Sequence, residues 1–169
     1  MKIISWNVNG IRAAYKKGLF DFIKKEKPEI FCLQETKIDK ESLDKLDFLP
    51  KDYNYFFSHA DKKGYSGVAT FVSNKISSKH KSNSFGLGKK KFDSEGRYVI
   101  SEFKDFTLYN IYFPSGSSGE IRQKFKFSFL DHLHAHIKEL PPKKRKKIII
   151  CGDYNICLLY TSPSPRDRG

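Results

Sequence analysis

Short apolar runs of strand length recur along the chain: KIISWNV (2–8), EIFCLQET (29–36), YNYFFSHA (53–60), SGVATFVS (66–73), RYVISEF (97–103), FTLYNIYF (106–113) and KKIIICGDYN (146–155). Several are apolar at successive positions, which predicts strands in sheets covered on both faces. Two longer segments have helical spacing instead. AYKKGLFDFIKKEKP sets Tyr15, Leu19, Phe22 and Ile23 on one stripe and stops at Pro28. SGEIRQKFKFSFLDHLHAHIKELPP does the same with Ile121, Phe125, Phe129 and Leu133 before Pro141. Strands joined both by helices and by direct turns predict an α/β layered protein rather than a pure βαβ array.

Charge adds a partner class to this picture. The 169 residues, enough for one domain with a real core, carry 32 Lys+Arg against 19 Asp+Glu, a net charge of +13. Such a surface attracts polyanions, of which nucleic acid is the commonest for a soluble basic protein. The lysine runs GKKKF (88–92) and KKRKK (143–147) read first as solvated positions, with phosphate contact the lesser reading. Cys32, Cys151 and Cys157 form no C-x-x-C pair, which suits a reducing compartment. The N-terminus lacks a secretory apolar core, and no apolar run reaches membrane-spanning length. A soluble, cytoplasmic protein is expected.

Candidate chemistry gathers at strand ends. Asn7 and Asn9 share parity at the end of the first run, Glu35 ends the second, and Asp153 and Asn155 end the last. Residues two apart on a strand face one way, so each pair faces one crevice. Any one of these is most simply a turn or cap residue. Together they concentrate hard oxygen donors of the kind that hold Mg²⁺ or Mn²⁺ beside a phosphate. Tyr112, just before Phe113-Pro114, can reach the same end, to donate to a phosphate oxygen or act as a phenolate, though a core tyrosine is the commoner case. His132, His134 and His136 crowd one helix without further ligands nearby, so they read as solvated positions and not as a zinc site. No G-x-S-x-G, H-E-x-x-H or Walker loop is present.

The stretches SWNVNGIRAA (5–14), FCLQETK (31–37), GYSGVATF (64–71), DSEGRYVISEF (93–103), YNIYFPSG (109–116), EIRQKFKF (120–127) and IIICGDYNI (148–156) occur in this order. They resemble the exonuclease III type of abasic-site endonucleases within the endonuclease/exonuclease/phosphatase superfamily. The resemblance implies an α/β two-sheet sandwich flanked by helices, of which residues 1–156 form the N-terminal part. It implies Glu35 as the main Mg²⁺ ligand (Mn²⁺ being the alternative ion), with Asn7 and Asn9 arranging the water shell. Asp153 then prepares the attacking water, Asn155 holds the scissile phosphate and Tyr112 is the active-site tyrosine. Arg12, Ala13, Lys17, Gly64, Tyr65, Arg122 and, less directly, Arg97 match contacts to the DNA backbone. The implied enzyme is a monomeric phosphodiesterase of base-excision repair. It incises double-stranded DNA 5′ to abasic sites and trims damaged 3′ ends.

The family pattern continues into a second half that supplies a further Asp and an Asp-His pair, and neither follows Ile156 here. CLLYTSPSPRD instead resembles the conceptual translation of a sequencing-library adapter, so residues 157–169 are expected to be a non-native, disordered tail. That tail carries two Arg and one Asp, so the charge without it is +12. A half-protein should hold roughly one sheet and the strand beginning the other, leaving an apolar face bare and the isolated chain unstable and inactive. Two other readings remain open: a phosphatase or lipid phosphodiesterase of the same superfamily, and a non-catalytic nucleic-acid-binding module. NVNGIRA and GYSGVA argue against the first, and carboxylates at strand ends, which repel phosphate without a metal, argue against the second.

Overall fold

The structure is a computed structural model that describes residues 1–117 and 119–156. The expected tail, 157–169, lies outside the described residues. In chain order the elements are β1 (Ile3–Asn7), α1 (Ile11–Lys16), α2 (Leu19–Glu26), β2 (Ile30–Gln34), α3 (Lys40–Leu43), β3 (Tyr53–Ser58) and β4 (Val68–Ser73). There follow β5 (His80–Ser84), α4 (Lys90–Asp93), β6 (Tyr98–Phe103), β7 (Thr107–Tyr112), α5 (Glu120–Glu139), α6 (Pro142–Arg145) and β8 (Ile148–Asp153).

The strands form two four-stranded sheets, ordered β1-β2-β4-β3 and β5-β6-β7-β8. Each is antiparallel except for one parallel pair, β1 with β2 and β7 with β8. A parallel pair needs a crossover; α1 and α2 supply the first, α5 and α6 the second. The sheets face each other over Ile30, Cys32, Val72, Phe103 and Leu108. α1 and α2 cover the outer face of the first sheet through Ile11, Leu19 and Ile23, and α5 covers the second through Phe129 and Leu133. Each such buried large side chain contributes on the order of 1.5–3 kcal/mol.

This corrects the expectation of one sheet with a bare face. Both sheets come from this chain, and each covers the other. The second sheet takes β6 and β7 as well as β8, and its fourth strand is β5, whose sequence HKSNS is polar and exposed at three of five positions. It is an edge strand that no apolar pattern marks, and it completes the second sheet beside β6. The first helical stripe also divides. Gly18 adopts φ 86° and separates α1 from α2, so Leu19 and Ile23 are buried while Tyr15 and Phe22 are exposed. In α5 the stripe holds at Phe129 and Leu133, but Ile121 is 84% exposed. His134 is exposed as expected, but His132 and His136 are half-buried: the first approaches Leu87 O and the second the Tyr109 hydroxyl.

Candidate active site

β1, β2, β7 and β8 all end at one pole of the sandwich. The parallel pairings set Asn7 beside Gln34 and Tyr112 beside Asp153. Below that pole a buried polar bridge ties the sheets together. Gln34 Nε2 donates to Asn110 Oδ1 (2.7 Å) and Ser5 Oγ (3.1 Å), and Asn110 Nδ2 donates to Ala69 O (2.9 Å) and Thr70 Oγ1 (3.1 Å). In a dry interior such a bridge has one satisfied geometry, so it sets the level of one sheet against the other. Sequence reasoning missed Gln34 and Asn110. Their signal was present, a carboxamide inside each of two otherwise apolar strands.

Above the bridge the chain turns sharply. Asn9, Glu35, Lys37 and Asn155 all have positive φ, between 46° and 53°. Non-glycine residues take this conformation at a cost of about 1–2 kcal/mol each. It is held in place by Gly10 N–H donating to Glu35 O (2.7 Å) and Ile11 N–H donating to Thr36 O (3.0 Å). Gly152 does comparable work on β8: a Cβ there would stand 1.8 Å from Ile111 O. Its lack of a side chain lets β8 lie against β7 with Asp153 at the tip.

The side chains converge. Glu35 Oε1 accepts from Tyr112 Oη (2.6 Å) and Asn7 Nδ2 (3.0 Å), and Asn7 Nδ2 also donates to Asp153 Oδ2 (2.6 Å). Lys37 Nζ lies 3.1 Å from Glu35 Oε2 and donates to Asn9 Oδ1. A crevice of about 370 Å³ is lined by Asn7, Asn9, Ala13, Lys17, Glu35 and Trp6 among others. The expected residues Asn7, Asn9, Glu35, Tyr112, Asp153, Ala13 and Lys17 are therefore neighbours, although they come from four strands and a helix. Arg12, on the same short helix, is exposed.

Burial pushes the Glu35 carboxyl up, but hydrogen bonds from Tyr112, Asn7 and Lys37 outweigh it and hold the group below its ordinary value of 4.5. Burial and then the Glu35 carboxylate push the Tyr112 hydroxyl far upward, so Tyr112 is a phenol that donates to a carboxylate. This environment favours the hydrogen-bond-donor reading of Tyr112 over the phenolate one. Asn155 is turned aside from this group: its Nδ2 donates to Phe113 O (2.8 Å) and its backbone N–H to Asp153 Oδ1 (3.0 Å).

A second cluster adjoins the first. Arg97, expected at the DNA, has a side chain only 1% exposed and so no surface on which to meet a phosphate. It donates instead to Glu95 (2.6 Å), Tyr112 O (2.9 Å) and Tyr65 Oη (3.1 Å), with its guanidinium 4.9 Å from the Tyr112 ring centre. Arg122 donates to Glu95 (2.9 Å) and Tyr65 Oη (3.2 Å) and stays a quarter exposed. Gly64 is exposed beside Tyr65. Arg97 thus acts from below, fixing Tyr112 and Tyr65, while Gly64, Tyr65 and Arg122 remain at the surface.

Among the described residues no group of three or more His, Cys, Asp or Glu is arranged to hold a metal. The site offers two carboxylates, Glu35 and Asp153, joined through one carboxamide. That donor set fits a hard divalent cation of the kind held by one or two carboxylates, with water and phosphate completing its shell. One Glu35 oxygen already carries a cation, the Lys37 ammonium.

A family model described as the Endonuclease/Exonuclease/phosphatase family matches residues 4–168. The chain belongs to that family. It is 39% identical over 158 residues to a DNA-(apurinic or apyrimidinic site) endonuclease of Dictyostelium discoideum, covering 92% of this chain and 42% of the relative. It is 38% identical over 159 residues to an exodeoxyribonuclease of Bacillus subtilis, covering 92% and 59%. Among solved structures, an AP endonuclease from Archaeoglobus fulgidus superimposes with a TM-score of 0.74 at 28% identity, over 92% of this chain and 58% of that one. The chain spans about half the length of the curated relatives it matches. Among the described residues no helix is long and apolar enough to cross a membrane.

Proposed function

We propose that this chain carries the metal-holding and water-positioning part of a Mg²⁺-dependent DNA phosphodiesterase of base-excision repair. The enzyme incises double-stranded DNA 5′ to abasic sites and trims 3′ ends. The observation that carries this reading is the Glu35–Asn7–Asp153 chain of hydrogen bonds beside Tyr112, at the mouth of a crevice that also contains Lys17. Glu35 holds the cation, Mg²⁺ or Mn²⁺, with Asn7 and Asn9 ordering its waters. A cation held there would supply positive charge to offset that developing on the phosphate and the leaving oxygen. Asp153, held by Asn7, takes a proton from the attacking water, and Asn155, two residues on, meets the scissile phosphate once its Nδ2 exchanges Phe113 O for it. Tyr112 keeps Glu35 ionised and oriented. Arg12, Ala13 and Lys17 on one side, with Gly64, Tyr65 and Arg122 on the other, hold the duplex backbone without reading its sequence.

An abasic-duplex assay on the chain and its Glu35→Gln variant tests the reading. Mg²⁺ should strengthen the chain's hold on the duplex or support incision 5′ to the site. Either response should vanish in the variant while metal-free duplex binding persists. Equal Mg²⁺ responses in both proteins would sink the proposal, as would preference for a phosphoinositide in direct competition.

A further inference from the structure

At the pole opposite the crevice, the turn between β6 and β7 meets the segment that leads into β8. Thr107 pairs with Ile148, and its N–H donates to Lys147 O (2.8 Å). Residues 104–106 are thereby held beside residues 143–147. Phe106 stacks on the buried Phe103, with centroids 4.6 Å apart and planes 14° apart. The two rings line a hollow of about 420 Å³ whose rim carries Lys104, Lys143, Lys146 and Lys147. Lys144 also lines it, 3.3 Å from Glu102. Among the described residues the other four lysines make no ion pair, and Asp105 is the one acidic group in the lining.

A lysine run on a polar surface is ordinarily just solvated. Here four ammonium groups without an ion pair, against the single carboxylate of Asp105, edge an apolar hollow whose accessible ring is Phe106 backed by the buried Phe103, and their mutual repulsion is relieved by an anion. An apolar hollow edged by cations matches a ligand with flat apolar faces strung on phosphates. Single-stranded nucleic acid is that ligand, since every base has a π-face for an aromatic ring and its backbone tracks positive charge. A duplex keeps its base faces stacked internally and has only phosphates to offer.

We infer that this hollow is a second nucleic-acid site, one that takes a single strand. β7 and β8 each run six residues from the hollow to the crevice, roughly 17 Å at the ordinary rise of a strand. A strand held here is therefore a different segment from one whose phosphate lies at Glu35. The inference does not require the nuclease reading, because no residue of the hollow belongs to the crevice.

The test is fluorescence anisotropy of a labelled oligothymidylate of about twelve nucleotides, against a blunt duplex of equal length, with the whole chain. Lys143→Glu/Lys146→Glu/Lys147→Glu should weaken oligothymidylate binding roughly tenfold or more. It should also flatten the dependence of log K on log salt by about 2, at about 0.7 per lost phosphate contact. Phe106→Leu, which keeps an apolar side chain, should weaken the single strand and leave the duplex unchanged. In the unsubstituted chain, bound oligothymidylate should slow acetylation of Lys146 and Lys147 but not of Lys24. Unchanged affinity in the triple variant would overturn the inference. So would equal losses for single strand and duplex, or protection of Lys24 in place of Lys146 and Lys147.

Discussion

Tyr112 on the second sheet donates its hydroxyl to Glu35 at the end of the first, 2.6 Å away across 77 residues of sequence. The contact joins the two layers at the point where the site is built. Tyr112→Phe should keep the fold and lose one hydrogen bond to a charged acceptor, about 1.5 kcal/mol. Urea unfolding monitored by circular dichroism measures it, and a change under about 0.3 kcal/mol would show that the bond contributes nothing net.

Lys37 occupies the Glu35 oxygen that a cation would use. Lys37→Ala should therefore tighten Mn²⁺ binding several-fold, by removing a competing charge and leaving Glu35 less compensated. Titration calorimetry with Mn²⁺ reads this directly. Weaker Mn²⁺ binding would mean that Lys37 orders the site and does not compete within it.

Arg97 is buried against Glu95, Tyr112 O and Tyr65 Oη, a planar fork with three acceptors. Arg97→Leu leaves Glu95 and Tyr65 Oη with only Arg122 and removes the arginine's bond to Tyr112 O, at a cost of about 3 kcal/mol. Arg97→Lys should recover little of this, because one ammonium cannot span the three positions. Recovery of most of the stability by lysine would show that charge alone matters there.

Glu95 makes the same cluster pH-dependent. Burial raises its carboxyl, but the hydrogen bond from Arg122 and the charge and hydrogen bond of Arg97 prevail, leaving it below its ordinary 4.5. Since the folded value is the lower one, the unfolded chain binds the proton more readily. The stabilisation is complete above the ordinary value and is lost as pH falls through the folded one. The urea midpoint should drop between about pH 5 and about pH 3, and Glu95→Gln, less stable at neutral pH, should show a shallower drop. Parallel curves for the two proteins would contradict this.

Gly152 has no room for a methyl group, because a Cβ would collide with the carbonyl of Ile111 on the neighbouring strand. Its φ of 142° adds strain for any other residue. Gly152→Ala should displace β8 and cost about 3 kcal/mol or more, the scale of an overpacked core. A melting temperature within a degree or two of the parent's would mean that the strand shifts freely.

Most strands were legible because seven of the eight described strands carry an apolar run of strand length, most continuously the buried central strands β2, β4, β6 and β7. β5 escaped because an edge strand with a solvated side needs no such run. The break between α1 and α2 escaped because the apolar spacing continues across Gly18, whose positive φ only the packed helices reveal. Glu35, Asn7 and Asp153 were legible as hard donors stranded at the ends of apolar runs. Arg97 was misplaced because a motif shows that an arginine is needed but not which way it points.

By itself the sequence determined the periodicities, the strand ends bearing oxygen donors and the surplus of positive charge, since each depends on residues close together in the chain. Only the tertiary structure decided that both sheets come from this chain, that Tyr112 serves Glu35, that Arg97 is buried and that Lys143, Lys146 and Lys147 edge an aromatic hollow. Those relationships join residues tens of positions apart. Packing two twisted sheets into one satisfied interior selects among the pairings that local pattern leaves equal.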